Sequence, residues 1–138
     1  MKDISITKRI LLYVEDNLDK ELSLEKIAKQ LNYSKFYIAR TFKDKTGITL
    51  YKYIQSRRLN EAARKLAETR YPIVEIAFEA GYHSQQAFTQ AFRYQYNCTP
   101  QEYRKIGIFI PRQDKIRMNM RMNGVMFLYR MAGGRIAA

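Results

Sequence analysis

Between residues 6 and 18 the apolar positions recur in steps of four: Ile6, Ile10, Val14 and Leu18. Steps of four place side chains on one face of a helix, so a first helix is expected over about residues 5–18. Ser23 precedes Leu24, Ile27, Ala28 and Leu31, and its hydroxyl can cap a second helix by accepting an unpaired backbone N–H. Ser34 can cap a third helix in which Ile38 and Phe42 point inward and Gly47 ends the run. Thr49 can open a long fourth helix through about Glu68, with Leu50, Ile54, Leu59, Ala62, Ala63 and Leu66 as its inward stripe. Pro72 suits the first position of a fifth helix carrying Ile73, Ile76, Ala77 and Ala80, closed by Gly81. Ser84 can cap a sixth with Phe88 and Phe92 inward. Thr99-Pro100-Gln101-Glu102 reads as a capping box opening a short seventh helix. The pattern predicts an all-α protein of seven short helices with tight links.

Two of these segments repeat. At an offset of 50, Ser34, Phe42, Lys43, Thr49 and Tyr53 match Ser84, Phe92, Arg93, Thr99 and Tyr103. At an offset of 49, Ile27-Ala28 and Tyr33 match Ile76-Ala77 and Tyr82, so His83 is the inserted residue. Each copy reads helix, short turn, helix, which is the helix-turn-helix arrangement present twice. The expected organisation is a unit over 1–105, split into a first helix-turn-helix (1–48), a linker helix (49–69) and a second helix-turn-helix (70–105). A tail of unknown role follows over 106–138. In the tail, Ile116, Met118, Met120 and Met122 alternate with Arg117, Asn119, Arg121 and Asn123, and Asn123-Gly124 supplies a type I′ turn signal. The tail is expected to be a short β-hairpin packed on something or a disordered end.

Charge narrows the partner. The 138 residues are 46% hydrophobic and 28% charged, a globular balance, and the formal charge is +12. A small protein this basic meets a polyanion, either nucleic acid or an acidic membrane surface. The charge is uneven: residues 15–25 hold five acids and one base, and residues 26–58 hold nine bases and one acid. The acidic stretch reads either as a partner-facing surface or as a solvated turn. One cysteine, Cys98, and one histidine, His83, exclude an internal disulfide and a Cys/His metal site, and no cofactor is expected. His83 reads as a turn residue, Cys98 as packing, and Tyr53 and Tyr103 as packing at matching positions. No stretch approaches the 18 apolar residues of a membrane span, and the charged N-terminus is unlike a secretory signal, so a cytoplasmic protein is expected.

The linked motifs resemble the AraC/XylS family of bacterial transcription regulators. They are Leu24-x-x-Ile27-Ala28, Tyr33-Ser34-x-x-Tyr37-Ile38-x-Arg40-x-Phe42-Lys43, Gly47, and Tyr53-Ile54-x-x-x-Arg58-Leu59. The second copy adds Ile73-x-x-Ile76-Ala77-x-x-x-Gly81-Tyr82, Ser84-Gln85-Gln86-x-Phe88, Phe92-Arg93 and Thr99-Pro100-x-x-Tyr103-Arg104. The likeness covers about residues 5–105. Within the family it is nearest the short MarA/SoxS/Rob-like branch, through Ser34-Lys35-Phe36 and Ser84-Gln85-Gln86. That branch usually has tryptophan at the place of Phe36 and often glutamine at Ala39, departures that bear on which bases are read. The resemblance implies a sequence-specific DNA-binding regulator, an activator of stress and multidrug-resistance genes with RNA polymerase as partner. Starting directly at the DNA-binding unit, the chain is expected to have no preceding sensor domain and to be controlled by its abundance.

The residues themselves name a site. With Ile38 and Phe42 inward, Lys35, Phe36, Ala39, Arg40 and Lys43 lie on the outward stripe. Arg40 can donate twice to guanine, and Phe36 can touch a thymine methyl or else belong to the core. In the second copy Gln85, Gln86, Thr89, Gln90 and Arg93 face outward, and glutamine suits adenine. The expected base contacts are therefore Phe36, Ala39, Arg40, Gln85, Gln86, Thr89 and Gln90. The expected phosphate contacts are Ser34, Lys35, Lys43, Lys45, Arg57, Arg58, Ser84, Arg93 and Arg104, with Lys105 a further candidate. Two unlike recognition helices in one chain predict a monomer on double-stranded DNA. Two rival classes stand beside this reading. One is a basic helical protein that binds an anionic membrane or a protein partner. The other is an enzyme, which lacks a His/Cys cluster, a glycine-rich phosphate loop and a paired-carboxylate signature.

Overall fold

Each helix start in the computed structural model, which describes residues 5–112, is where a hydroxyl or a proline can supply it. The described helices are α1 (Ile6–Asp16), α2 (Leu24–Leu31), α3 (Lys35–Thr46), α4 (Leu50–Glu68), α5 (Ile73–Glu79), α6 (Gln85–Tyr96) and α7 (Pro100–Ile106). Ser5, Ser23, Ser34, Ser84 and Thr99 each accept a hydrogen bond from the backbone N–H three residues on. Thr49 does the same for Lys52 at 3.1 Å. At α7 Glu102 returns the favour to the Thr99 N–H, completing the capping box. The all-α expectation holds among the described residues. The expected hairpin lies outside them.

Two boundaries differ from the sequence reading. Helix α1 stops at Asp16, because Asn17 turns its own N–H to the Val14 carbonyl at 3.1 Å and its Nδ2 to the Tyr13 carbonyl at 2.8 Å. Leu18 leaves the helix and still packs on the core. Pro72 precedes α5 as its extended N-cap and does not occupy the first helical position.

The described chain forms two compact units that meet within α4, at Ile54 and Gln55. In the first, Ile10, Leu11 and Val14 of α1, Ile27 and Ala28 of α2, and Ile38 and Phe42 of α3 bury one core with Leu50, Tyr53 and Ile54 of α4. In the second, Leu59, Ala62, Ala63 and Leu66 of α4 bury another with Ile76 and Ala77 of α5, Phe88, Phe92 and Tyr96 of α6, and Tyr103 of α7. The inward stripe of α4 is thus shared between two cores.

The repeat is carried into three dimensions position by position. Ile38 and Phe88 are buried, as are Phe42 and Phe92, and Thr46 and Tyr96, with Ala39 and Thr89 half-buried between them. The turns match as well. Asn32 (φ 64°) and Gly81 (φ 95°) both adopt the left-handed conformation. Directly after them, Tyr33 N–H donates to the Ala28 carbonyl at 3.0 Å and Tyr82 N–H to the Ala77 carbonyl at 3.1 Å. These are six-to-one bonds that end a helix and reverse the chain.

The second unit is completed from its C-terminal side. Arg104 donates from Nε to the Leu66 carbonyl at 3.1 Å, and from Nη2 to the Thr69 and Tyr71 carbonyls at 3.3 and 2.8 Å. It satisfies the C-terminal end of α4, where carbonyls lack helical partners. The segment 107–112 then folds back as a strap. Ile110 N–H donates to Tyr103 Oη at 2.9 Å, and Arg112 N–H donates to Asn60 Oδ1 at 3.1 Å. Phe109 packs on the core, and the buried Asn60 oxygen also accepts from Tyr96 Oη and from Gln95 Nε2.

Two stability outcomes follow from this packing. Phe92 stacks on Tyr96 at 4.7 Å and meets Tyr103 edge-on at 5.5 Å, so Phe92→Ala should cost about 3–5 kcal/mol in urea unfolding. A loss below about 1 kcal/mol would mean that the aromatic cluster does not pack as described. Arg104→Ala should cost roughly 1–3 kcal/mol by stripping three carbonyls of a charged donor. Differential scanning calorimetry reads it as a lowered Tm, and an unchanged Tm would contradict the clamp.

Candidate nucleic-acid interface

A helix that buries residues four apart has its outward stripe decided. In α3, burial of Ile38 and Phe42 leaves Lys35, Phe36, Tyr37, Arg40, Lys43 and Lys45 exposed, with Ala39 half-buried. In α6, burial of Phe88 and Phe92 leaves Gln85, Gln86, Gln90, Arg93 and Tyr94 exposed, with Thr89 half-buried. Phe36 is 72% exposed, which removes the alternative that it belongs to the core. Each helix thus gathers its own set of expected base contacts on one face.

Both helices begin in the same way. Ser34 Oγ accepts from the Tyr37 N–H at 3.1 Å, and Ser84 Oγ accepts from the Ala87 N–H at 3.0 Å. An accepting hydroxyl keeps its own proton for an outside acceptor such as a phosphate oxygen. The free N–H groups of the first turn add partial positive charge at the same place. His83 is exposed in the turn just before Ser84.

The two faces differ in chemistry. That of α3 is cationic and aromatic. Lys35 Nζ sits 3.1 Å from Glu25 Oε2 and 5.7 Å from the centre of the Phe36 ring. Tyr33 and Tyr37 stack at 5.0 Å, with the Arg9 guanidinium 5.9 Å over Tyr33. Residue spacing alone does not single out this cluster of Arg9, Tyr33 and Tyr37, although a four-residue spacing puts both tyrosines on one side of the α3 start. The face of α6 is polar and almost neutral, with Arg93 its only cation.

Two expected phosphate ligands are committed elsewhere. Arg57 is only 2% exposed, and its Nη2 lies 3.5 Å from Glu61 Oε2. It cannot reach a DNA backbone without breaking the core around it. Arg104 spends its guanidinium on the end of α4. Arg58 is half-buried against the turn after α5: a Cβ added at Gly81 would lie 3.5 Å from its Nη1. Burial pushes the Arg58 guanidinium below its ordinary value, and Tyr82 opposes that shift. Lys43, Lys45, Arg93 and Lys105 stand exposed.

Cys98 is half-buried beside the second core, and its thiol is pushed up by burial first and then by Glu102. Among the described residues no group of His, Cys, Asp and Glu could hold a metal ion. No described helix is long and apolar enough to cross a membrane.

Comparison with known proteins agrees with this geometry. A family described as a helix-turn-helix domain matches residues 27–106. The transposon Tn10 TetD protein of Escherichia coli is 44% identical over 101 residues, covering 73% of this chain and 73% of its own length. The multiple antibiotic resistance protein MarA of Escherichia coli K12 is 43% identical over 95 residues, covering 69% of this chain and 75% of its own. Among solved structures, the C-terminal domain of AraT, a response regulator from Geobacillus stearothermophilus, superposes with a TM-score of 0.68 at 32% identity. That match covers 77% of this chain and 88% of the other. With the twin helix-turn-helix units, their paired serine caps and these relatives together, the chain belongs to the AraC/XylS family of DNA-binding transcription regulators.

Proposed function

We propose that the chain binds one asymmetric DNA site as a monomer, with α3 and α6 entering two adjacent major grooves. The observation that carries this reading is the repeated burial pattern: each recognition helix hides the same three positions and presents the same outward ones. Helix α4 supports it. Its 19 unbroken residues span about 28 Å at 1.5 Å each, and successive major grooves on one face of DNA are about 34 Å apart. A helix of that kind holds its length where a Gly/Ser linker would not.

In this reading Arg40 donates in bidentate fashion to guanine O6 and N7, and Phe36 meets a thymine methyl. Ala39 offers a small apolar contact beside them. Gln85, Gln86, Thr89 and Gln90 read the second half-site, with a larger share left to DNA shape because only Arg93 is charged there. Ser34, Ser84, Lys43, Lys45, Arg58, Arg93 and Lys105 hold phosphates. Arg57 and Arg104 drop out of the phosphate set. Activation through RNA polymerase, at genes for stress and multidrug resistance, is proposed from the likeness to MarA, whose name carries multiple antibiotic resistance.

Site selection from random duplex DNA identifies the operator, and two measurements on it test the reading. Arg40→Ala should weaken binding by roughly 1–3 kcal/mol and relax one base position. An equal loss on every sequence would make Arg40 a phosphate ligand. Adding two base pairs between the half-sites moves the second groove by about 7 Å and rotates it by about 70°. Affinity should then fall to near the non-specific level. A flat response to zero, one, two and five added pairs would overturn rigid coupling of the two helices, and sedimentation showing two chains per site would overturn monomeric docking.

A further inference from the structure

Glu25 and Lys35 form an ion pair across the turn of the first helix-turn-helix, 3.1 Å from Oε2 to Nζ. The lysine opens the first recognition helix, where a cation is well placed to meet a phosphate. The glutamate lies in the first turn of α2. The pair is on the surface, with the lysine side chain 44% and the glutamate 68% exposed. The ammonium is also engaged by the Phe36 ring at 5.7 Å.

The second copy shows what the pair is not for. By the repeat offsets Glu25 corresponds to Val74 and Lys35 to Gln85, neither of them charged. The second copy, whose turn is longer by His83, has a left-handed residue at the matching position, the matching six-to-one bond and a serine cap. The turn therefore does not need the ion pair to form. Exposed pairs also contribute little to folding. What the pair does change is the charge available at the start of α3.

The geometry points to Glu25 as a tuning residue for DNA affinity: its carboxylate sequesters the Lys35 ammonium and withholds one phosphate contact at the start of the first recognition helix. The Glu25 carboxyl is well anchored for this. Its own backbone N–H first, and then the Lys35 hydrogen bond and charge, hold it below the ordinary carboxylate range. Lys35 thus leaves the phosphate set in the resting protein, while Lys43 and Lys45 on the same helix remain in it. Phe36 keeps a fixed cation over its face and so a defined setting beside the groove. The assignment rests on the DNA-binding reading given above.

The test is a cycle of Glu25→Gln, Lys35→Gln and the double variant in the full chain. Each is titrated against a labelled random-sequence duplex by fluorescence anisotropy at several potassium chloride concentrations. A released Lys35 adds one neutralised phosphate, so Glu25→Gln should bind several-fold more tightly, with a logarithmic salt slope steeper by about 0.9. Lys35→Gln alone should leave the slope unchanged, and the double variant should match Lys35→Gln. Circular dichroism melts confirm that the variants fold, because both side chains are exposed. Three results overturn the assignment: no gain from Glu25→Gln, a slope flattened by Lys35→Gln alone, or a gain that persists in the double variant. The last would mean that the carboxylate simply repels the DNA. A wild-type chain that binds no duplex would remove the DNA-docking reading as well, whereas normal wild-type binding with any of those three results removes only this one.

Discussion

The rotation of α3 and of α6 about their own axes is the constraint on which the rest of the molecule depends. Two buried side chains four residues apart set it: Ile38 and Phe42 in α3, Phe88 and Phe92 in α6. With 3.6 residues per turn, hiding one stripe leaves no freedom over which residues face solvent. Turning α3 by one position would bury Lys43 and expose Phe42, at the cost of an uncompensated charge and a lost aromatic. The core therefore chooses which residues face outward on α3 and α6.

Caps convert that rotation into a position. Each serine fixes where its helix begins, so the first-turn amides and the serine hydroxyl lie at a defined end of the outward stripe. Before each serine, the left-handed residue and the six-to-one bond fix the angle at which the preceding helix arrives. Gly81 and Asn32 meet the same demand by different means. Glycine has no Cβ to clash, and asparagine tolerates the left-handed region better than most residues. His83, the residue added to the second turn, sits outside this machinery and leaves its bonds intact.

Basic residues divide between holding the protein together and facing outward. Arg57 and Arg104 belong to the first group: one is buried beside Glu61, the other is spread over the Leu66 carbonyl in the last turn of α4 and the Thr69 and Tyr71 carbonyls just after it. Lys43, Lys45 and Arg93 belong to the second. Net charge alone therefore overstates the cations free to meet a polyanion. The strap over 107–112 shows the same economy with polar groups, since one buried asparagine oxygen serves a backbone N–H, a phenol and an amide.

By itself the chain's order of residues determined, among the described residues, the kind of helices, their serine and threonine caps, the internal repeat and most inward members of each stripe; it missed the buried Leu11, the early end of α1 at Asp16 and the N-cap place of Pro72. The features it determined depend on local periodicity and on hydrogen bonds three or four residues apart, which are readable along one dimension. It also placed Arg40, Gln85, Gln86 and Gln90 outward, because their neighbours at helical spacing are apolar. Only the tertiary structure decided which cations are spent. Arg57 and Arg58 are adjacent and chemically alike, yet one is buried in α4 and the other reaches the turn after α5. Likewise Arg104 finds its carbonyls more than 30 residues away, and Glu25 finds Lys35 across a turn. Such pairings depend on the distance between elements after packing, and no spacing along the chain encodes that distance.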